Sequence, residues 1–91
     1  MKYKIKLSKE ADKVAAKFKK SNPIMFKKYS ALLDEIVEHP RTGRGHPKPL
    51  VLGNDITYSR HISANNRIIY DIYDDIVVVM ILSVEGHYGD K

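Results

Sequence analysis

The apolar residues of this chain change their spacing at Pro40, and this change limits the folds that the chain can adopt. Over residues 9–20 and 23–38, apolar side chains recur every three to four residues, which is typical of helices with one buried face. Ser8 and Asn22 precede these two segments and are suitable N-cap residues. We therefore predict two consecutive helices that end close to Pro40.

The rest of the chain has the patterns of β-strands. Residues 3–7 alternate apolar and charged side chains, and residues 57–62 and 67–73 are strand-like segments joined by a turn over residues 63–66. Residues 76–82 form a continuous apolar run, which predicts a central strand buried on both faces. The order β-α-α-β-β-β predicts an α+β fold in which a two-helix hairpin packs on one face of a mostly antiparallel sheet.

The charge of the chain is unevenly distributed. Residues 1–50 have a balance of +8 and residues 51–91 a balance of −3, which gives the formal net charge of +5. This asymmetry favours a nucleic acid or an acidic protein as partner, although lysines that merely keep helix surfaces hydrated would give the same count. The lack of cysteine excludes a disulfide framework, and the longest apolar run is far shorter than the ~20 residues of a membrane span. We expect a single domain over residues 1–91, in which residues 89–91 are compatible with a disordered tail. We also expect a cytoplasmic protein that does not associate with membranes.

Polar residues suited to catalysis or ligand binding occur in a loop, in the hairpin and near the C-terminus. The predicted loop over residues 41–50 combines glycines with cationic and imidazole groups, which suits a phosphate but also suits a flexible basic connector. The four histidines lack the spacing of a metal-binding motif, so we expect no metal and no other cofactor. The candidates are Arg44, His46 and Lys48 in the loop, Arg60, His61 and Arg67 in the hairpin, and His87 and Tyr88 near the C-terminus.

Arginines beside an imidazole are suited to RNA cleavage without a metal. That reaction needs a base for the 2′-OH proton, cations for the phosphorane and an acid for the 5′-oxygen. Arg60 and Arg67 are close across the predicted hairpin and repel each other unless they share an anion. Three simpler explanations stay open, namely exposed sheet positions for the arginines, an ion pair between Arg67 and Asp71, and an unconstrained C-terminal tail.

Four short segments carry a family resemblance: residues 43–50 (GRGHPKPL), 58–62 (YSRHI), 66–70 (NRIIY) and 87–88 (HY). In this order, on the predicted β-α-α-β-β-β layout, they resemble the YoeB/Txe toxins of bacterial toxin–antitoxin modules, within the RelE/ParE superfamily. The resemblance implies a RelE/ParE-like fold and a ribosome-dependent mRNA interferase. Such an endoribonuclease cleaves mRNA in the ribosomal A site by metal-independent 2′-OH attack and inhibits translation.

The resemblance also implies roles for individual residues. Arg67 is expected to stabilise the transition state, His87 to transfer a proton, and Tyr88 to orient or stack on a base. Lys48 is expected in the catalytic group as well, at the loop position discussed next. The expected substrate-binding residues are Arg60, where the family has a phosphate contact, His61, Arg44 and His46.

Several positions depart from the family pattern. Relatives have a glutamate between the two prolines of the loop, as G-x-G-x-P-E-P-L, and that carboxylate is their proposed base, whereas this chain has Lys48. Lys48 stabilises phosphate charge in one interpretation and acts as the base in another, as the RelE branch also uses lysines. His46 and Glu85 are alternative bases. His61 occupies a position where relatives often have a second arginine, and residues 89–91 extend beyond the usual C-terminal tyrosine.

The resemblance implies several partners and leaves two other functions open. The partners are a cognate YefM/Axe-like antitoxin, the 70S ribosome with mRNA, and operator DNA contacted only through the antitoxin complex, while a monomer and a homodimer are both compatible with the sequence. One alternative is a ParE-like inhibitor of DNA gyrase without nuclease activity, which has no need of His87 and Tyr88. The other is a catalytically degenerate toxin that keeps only antitoxin binding and operon autoregulation.

Overall fold

A computed structural model describes residues 2–43, 47–49, 56–63 and 66–84 of the chain. The predicted β-α-α-β-β-β order is present, with one additional two-residue strand inside the segment predicted as a loop over residues 41–50. In chain order, the elements are β1 (Lys4–Leu7), α1 (Lys9–Ser21), α2 (Pro23–Glu38), β2 (Lys48–Pro49), β3 (Thr57–His61), β4 (Arg67–Tyr73) and β5 (Val78–Ser83).

Both predicted helix starts are confirmed by side-chain capping. The Ser8 hydroxyl oxygen accepts a hydrogen bond from the backbone N–H of Ala11 at 3.0 Å, and the Asn22 side-chain oxygen accepts one from Met25 N–H at 3.3 Å. Pro23 occupies the first turn of α2, where its missing N–H costs no hydrogen bond. Asn22 both ends α1 and begins α2, so the two helices form a tight hairpin.

The five strands form one mixed sheet in the order β1-β5-β4-β3-β2. Strand β5 lies between β1 and β4, which confirms its predicted internal position. The pairs β2–β3, β3–β4 and β4–β5 are antiparallel, but β1 runs parallel to β5. The helical hairpin leads the chain from β1 at one edge of the sheet to β2 at the opposite edge, and three antiparallel steps then bring β5 beside β1. The expectation of an antiparallel sheet therefore holds for every pair except β1–β5.

The last strand begins later than its apolar run predicts. Residues 74–77 form the turn between β4 and β5, where Val77 has φ +55° and Ile76 is 63% exposed. Pairing starts at Val78, opposite Tyr73, and continues to Ser83. The prediction of a strand over residues 76–82 is wrong at its start, because reversing the chain between two long strands uses residues regardless of their hydrophobicity.

One face of the sheet packs against the two helices and forms the core. Alternate residues of β4 and β5 point to this face, as the pleat of a strand requires. The described helices lie on this side alone, as predicted for a two-helix hairpin. The core comprises Ala11, Ala15 and Phe18 of α1, Tyr29, Leu32 and Ile36 of α2, and Ile62, Ile68, Tyr70, Ile72, Val79, Ile81 and Val84 of the sheet and the residues next to its strands.

Candidate functional site

Strand pairing brings three predicted site residues to the sheet face opposite the helices. His61 at the end of β3 pairs with Arg67 at the start of β4, and Lys48 of β2 pairs with Ser59, two residues before His61. Paired residues point to the same face, and side chains alternate along each strand. Because Ile68 belongs to the helix-facing core, its neighbour Arg67 points away from the helices. We call this second side, which carries Lys48, His61 and Arg67, the open face.

The first strand adds further positive charge to the open face. Lys4 and Lys6 are in register with Val78 and Met80 of β5, which pair in turn with the β4 residues that share the face of Arg67. Both lysine side chains are exposed. The open face therefore carries lysines at both edges of the sheet, on β1 and on β2, with Arg67 between them on β4, which suits an anionic ligand.

Arg67 keeps a hydrogen-bond donor without an internal acceptor. The residue is half-buried, and its Nε atom is buried without a hydrogen-bond partner in the described part of the structure. Leaving a buried donor unpaired costs roughly 1–3 kcal/mol, more when it carries charge. An anion bound beside Arg67 would offset this cost, since a guanidinium pairs in a planar, bidentate manner with phosphate oxygens.

The carboxylate of Asp71 also lies on the open face, but two hydroxyl groups bind it. It accepts a hydrogen bond from Thr57 Oγ1 at 2.6 Å and one from the Tyr73 hydroxyl at 3.1 Å. The bond to Asp71 raises the pKa of the Tyr73 phenol, because it stabilises the protonated form. The possible ion pair between Arg67 and Asp71 is thus replaced by these contacts.

The end of β5 leads the chain toward Arg67. Ser83, the last residue of β5, pairs with Ile69, two residues after Arg67 in β4. Strand β5 therefore ends at the side of the sheet where β4 begins and where β3 ends at His61. The remaining candidates lie outside the described residues, namely Arg44, His46, Glu85, His87 and Tyr88.

Arg60 occupies a different place from the one that the sequence suggested. Its side chain is fully buried on the helix-facing side, where Nη2 donates to the carbonyl oxygens of His39 at 2.8 Å and Thr42 at 2.9 Å. Its cross-strand partner is Ile68, so the two arginines of the hairpin do not converge on one anion. This burial is the opposite of the exposed position that a direct phosphate contact requires.

Tyr70 completes the network around Arg60. Its hydroxyl accepts a hydrogen bond from Arg60 Nε at 3.3 Å and donates one to the carbonyl of Pro40 at 2.7 Å. Burial raises the pKa of the Tyr70 phenol, which keeps it neutral and able to donate. Arg60 and Tyr70 together bind three carbonyls just after α2, where the helix dipole favours a positive charge. Tyr70 has no predicted role in the site, although a tyrosine alternating with core isoleucines indicates a buried hydroxyl that needs a partner.

Gly43 is required by the path of the chain between α2 and β2. Its φ of +107° is rarely adopted by residues with a side chain, and a Cβ atom would lie 2.8 Å from the Cδ atom of Glu35. The segment after α2 therefore passes close to the helix surface. With the three carbonyls held by Arg60 and Tyr70, Gly43 fixes the start of the segment that leads to Lys48.

A second polar network joins this segment to the other end of the sheet. Arg41 donates two hydrogen bonds to Asp74, at 3.2 Å and 2.8 Å, and the Tyr3 hydroxyl donates to the same carboxylate at 2.5 Å. Arg41 and Tyr3 hold the pKa of Asp74 below its ordinary value, and Asp74 raises the pKa of Tyr3. The Arg41 guanidinium also lies 5.9 Å from the ring centroid of Tyr58. No local sequence pattern indicated this network, because its members are far apart in the chain.

Comparison with known families decides the class of the protein. The model of the YoeB-like toxin of bacterial type II toxin–antitoxin systems matches residues 8–88 of the chain. The chain belongs to this family. It is a toxin of a type II toxin–antitoxin system, and the match covers both helices, strands β2 to β5 and the four segments on which the resemblance rests.

Solved structures share the fold of this YoeB-like toxin. YoeB from Staphylococcus aureus, solved as a dimer, has 28% identity and a TM-score of 0.85, with 97% of this chain and 100% of that chain covered. In a YoeB–YefM complex from the same organism the values are 29%, 0.81, 97% and 100%. A YoeB/ParE toxin from Agrobacterium tumefaciens has 21% identity and a TM-score of 0.86 over 93% of this chain and 99% of that chain, which supports the fold. No curated protein sequence matches the toxin.

Two further observations concern the described residues of the toxin. They contain no group of three or more histidine, aspartate or glutamate side chains placed to hold a metal ion. Within the same residues, neither helix has the length and apolar character that crossing a membrane requires.

Proposed function

We propose that this YoeB-like toxin is a ribosome-dependent mRNA interferase that acts in the cytoplasm. It cleaves mRNA in the ribosomal A site by metal-independent attack of the 2′-OH and thereby inhibits translation. The open face is the observation that carries the proposal, since it sets Arg67, with an unpaired Nε donor, directly across from His61 and places Lys48 on the same face beyond β3. A phosphodiester is the ligand that such a group of cations and an imidazole suits.

The residues of the site act on different parts of the reaction. Arg67 stabilises the negative charge of the phosphorane, and Lys48 adds a second positive charge from β2, on the other side of β3. His87 protonates the 5′-oxygen that leaves, and Tyr88 stacks on or orients a base. Arg44 and His46 bind the substrate from the segment before β2. Arg60 acts through the backbone that it holds rather than through the phosphate.

The basic surface also supports binding to the ribosome. Lys4 and Lys6 extend the positive charge of the open face to the edge of the sheet, away from Arg67. Contacts between such lysines and RNA phosphates release counterions, so binding weakens steeply as salt concentration rises. We expect the affinity for ribosomes to depend on salt and to fall when both lysines are replaced.

A cognate antitoxin of the YefM/Axe type neutralises the toxin, and the complex binds operator DNA. The YoeB–YefM complex of Staphylococcus aureus supports this part of the proposal, and the dimer of YoeB from the same organism supports a homodimer. An acidic antitoxin segment that folds on binding and covers the open face would neutralise the cations on which cleavage depends.

Primer extension on an mRNA in a purified translation system tests the proposed activity. The toxin should produce cuts within the A-site codon when ribosomes are present and none on the free mRNA. Arg67→Ala should lower the rate about 100- to 1,000-fold, because it removes a charge that stabilises the transition state. Lys28→Ala, which removes a charge from the exposed surface of α2, is the matched control and should cut at nearly the normal rate.

The alternative functions give different results in the same assays. Growth arrest with inhibited DNA gyrase and uncut mRNA would identify a ParE-like inhibitor. Antitoxin binding without growth arrest or cleavage would identify a degenerate toxin. Equal cleavage by Arg67→Ala and the unaltered toxin would leave the activity in place and overturn the site.

A further inference from the structure

The proposed reaction requires a base for the 2′-OH proton, and none of the roles given above supplies it. His61 lies on the open face directly across from Arg67. We propose that His61 accepts the 2′-OH proton, so that an imidazole activates the nucleophile. The role rests on the proposed function and refines its site. It replaces the three bases considered from the sequence, Lys48, His46 and Glu85, and it turns His61 from a substrate contact into a catalytic residue.

Cross-strand register brings the imidazole and the guanidinium together. His61 and Arg67 are paired residues of β3 and β4, and such pairs have Cα atoms about 4.5–5.5 Å apart with side chains on one face. Lys48 is paired with Ser59, about 7 Å along β3 from His61. A phosphate held by Arg67 is therefore within side-chain reach of His61, and Lys48 faces the same side of the sheet from beyond β3. His61 is half-buried, so it has an exposed part for a ligand.

Among the residues that the structure describes, the other charged and titratable groups on this face are poorly suited to take the proton. Lysine and arginine side chains are protonated at neutral pH under ordinary conditions, and they donate rather than accept. Asp71 is bound by two hydroxyl groups and lies about 13 Å further along β4 than Arg67. A neutral imidazole has an unshared electron pair that accepts a proton. His61 therefore supplies the base, and Arg67 and Lys48 supply the cations that the reaction requires. In the described residues, the groups that share the face with His61 are Lys4 and Lys6 of β1, Lys48 of β2, and Arg67, Asp71 and Tyr73 of β4, while Arg60 lies on the opposite face.

The chemical step is balanced without a further reactant. The 2′-oxygen forms a bond to phosphorus as its proton passes to His61. Arg67 and Lys48 stabilise the negative charge of the phosphorane. The bond between phosphorus and the 5′-oxygen then breaks, and that oxygen takes a proton from His87. The products are a 2′,3′-cyclic phosphate and a 5′-hydroxyl end, with one imidazole protonated and the other deprotonated.

Replacement of His61 by arginine separates a base from a phosphate contact. If His61 only contributed positive charge, His61→Arg would cleave at least as fast as the unaltered toxin. A base at this position predicts that His61→Arg and His61→Gln both lose about 100- to 10,000-fold in the rate of A-site cleavage. His39→Gln is the matched control, since it removes an exposed imidazole at the end of α2 and should leave the rate unchanged. Thermal unfolding of each variant shows that the protein is folded.

The pH profile and rescue by free imidazole provide readouts that a structural role would not change. The cleavage rate of the unaltered toxin should fall toward acidic pH, because a protonated imidazole cannot accept the 2′-OH proton, and the His61→Gln variant should lack this fall. Added imidazole should raise cleavage by His61→Ala at least about tenfold and should not affect Arg67→Ala. Cleavage by His61→Arg at the normal rate, or an unchanged pH profile in His61→Gln, would overturn the role of His61 while leaving the proposed function in place. Absence of cleavage by the unaltered toxin would overturn both.

Discussion

Arg60 and Arg67 lie on opposite faces of the sheet, although one hairpin joins the strands that carry them. Arg60 pairs with Ile68 and points into the core, whereas Arg67 pairs with His61 and points to the open face. A shift of one residue in this register would exchange the faces of a whole strand. The register of β3 and β4 therefore decides which arginine supports the fold and which one is available to a substrate.

Loss of the hydrogen bonds made by Arg60 and Tyr70 should lower the free energy of unfolding, because these side chains support the fold and do not contact the substrate. Arg60→Met keeps an unbranched side chain but leaves the Thr42 carbonyl without the Arg60 donor and the His39 carbonyl with only the N–H of Thr42, so we expect the free energy of unfolding to fall by about 2–4 kcal/mol. Tyr70→Phe removes the bond to Pro40 and should cost about 1–2 kcal/mol. Urea denaturation of both variants and of the double variant measures the coupling, which should exceed about 0.5 kcal/mol.

A surface arginine provides the control for this comparison. Arg41→Met removes a guanidinium that is partly exposed and should cost less than about 1 kcal/mol. An Arg60→Met variant as stable as the unaltered toxin and yet unable to cleave would show that Arg60 contacts the substrate after all.

Gly43 should resist substitution for two separable reasons. Gly43→Ala forces a side chain onto a residue with φ of +107° and sets its Cβ against Glu35, so we expect a loss of more than about 1 kcal/mol in the free energy of unfolding. Glu35→Ala removes the contact but not the backbone requirement. In that background Gly43→Ala should cost less but should still destabilise, as chemical denaturation of the four proteins will show. Full recovery would mean that the contact alone excludes a side chain.

The Asp74 network should make stability depend on pH at the acidic end. Arg41 and Tyr3 hold the pKa of Asp74 below its unfolded value, so the contribution of Asp74 is fully present above about pH 4 and is lost as the pH falls through the lower folded value. Compared with Asp74→Asn, the unaltered toxin should therefore lose its stability advantage as the pH falls from about 5 to about 2. Asp75→Asn alters the neighbouring carboxylate, which accepts a bond from the N–H of Ile76, and should show a smaller change. Parallel stability curves for the unaltered toxin and Asp74→Asn would contradict the prediction.

Local patterns were sufficient for most of the secondary structure. Capping residues and apolar spacing identified both helices, and alternation identified β3 and β4, because these signals depend on a few neighbouring residues. The parallel pairing of β1 with β5 and the two-residue strand β2 depend on contacts between distant segments and were missed. The start of β5 was misplaced because a turn and a buried strand both contain apolar residues there.

The candidate site was predictable in its residue types but not in its faces. The family segments pointed to Lys48, His61 and Arg67, and the structure places these three on the same face of the sheet, on three consecutive strands. The segments did not indicate that Arg60 binds the carbonyls after α2. Arg60 and His61 are consecutive residues of one strand and point to opposite faces, and the sequence alone does not show which face is buried. Tyr70 and Arg41 were missed because their partners lie in segments that only the folded chain brings close.

Two departures from the family pattern, Lys48 and His61, lie on adjacent strands of the same face and should compensate each other. The family resemblance implies a glutamate base at the first position and often an arginine at the second, which is the reverse of the arrangement proposed for this chain. Lys48→Ala should lower A-site cleavage about 10- to 100-fold, because it removes a charge close to the phosphorane.

The double variant Lys48→Glu/His61→Arg supplies a carboxylate base and a guanidinium, and it should cleave faster than His61→Arg alone. Its acidic limb should move below that of the unaltered toxin, because a carboxylate loses its proton at lower pH than an imidazole does. Primer extension across the pH range measures both effects, and a double variant no faster than His61→Arg would show that the two positions do not share the work of base and cation.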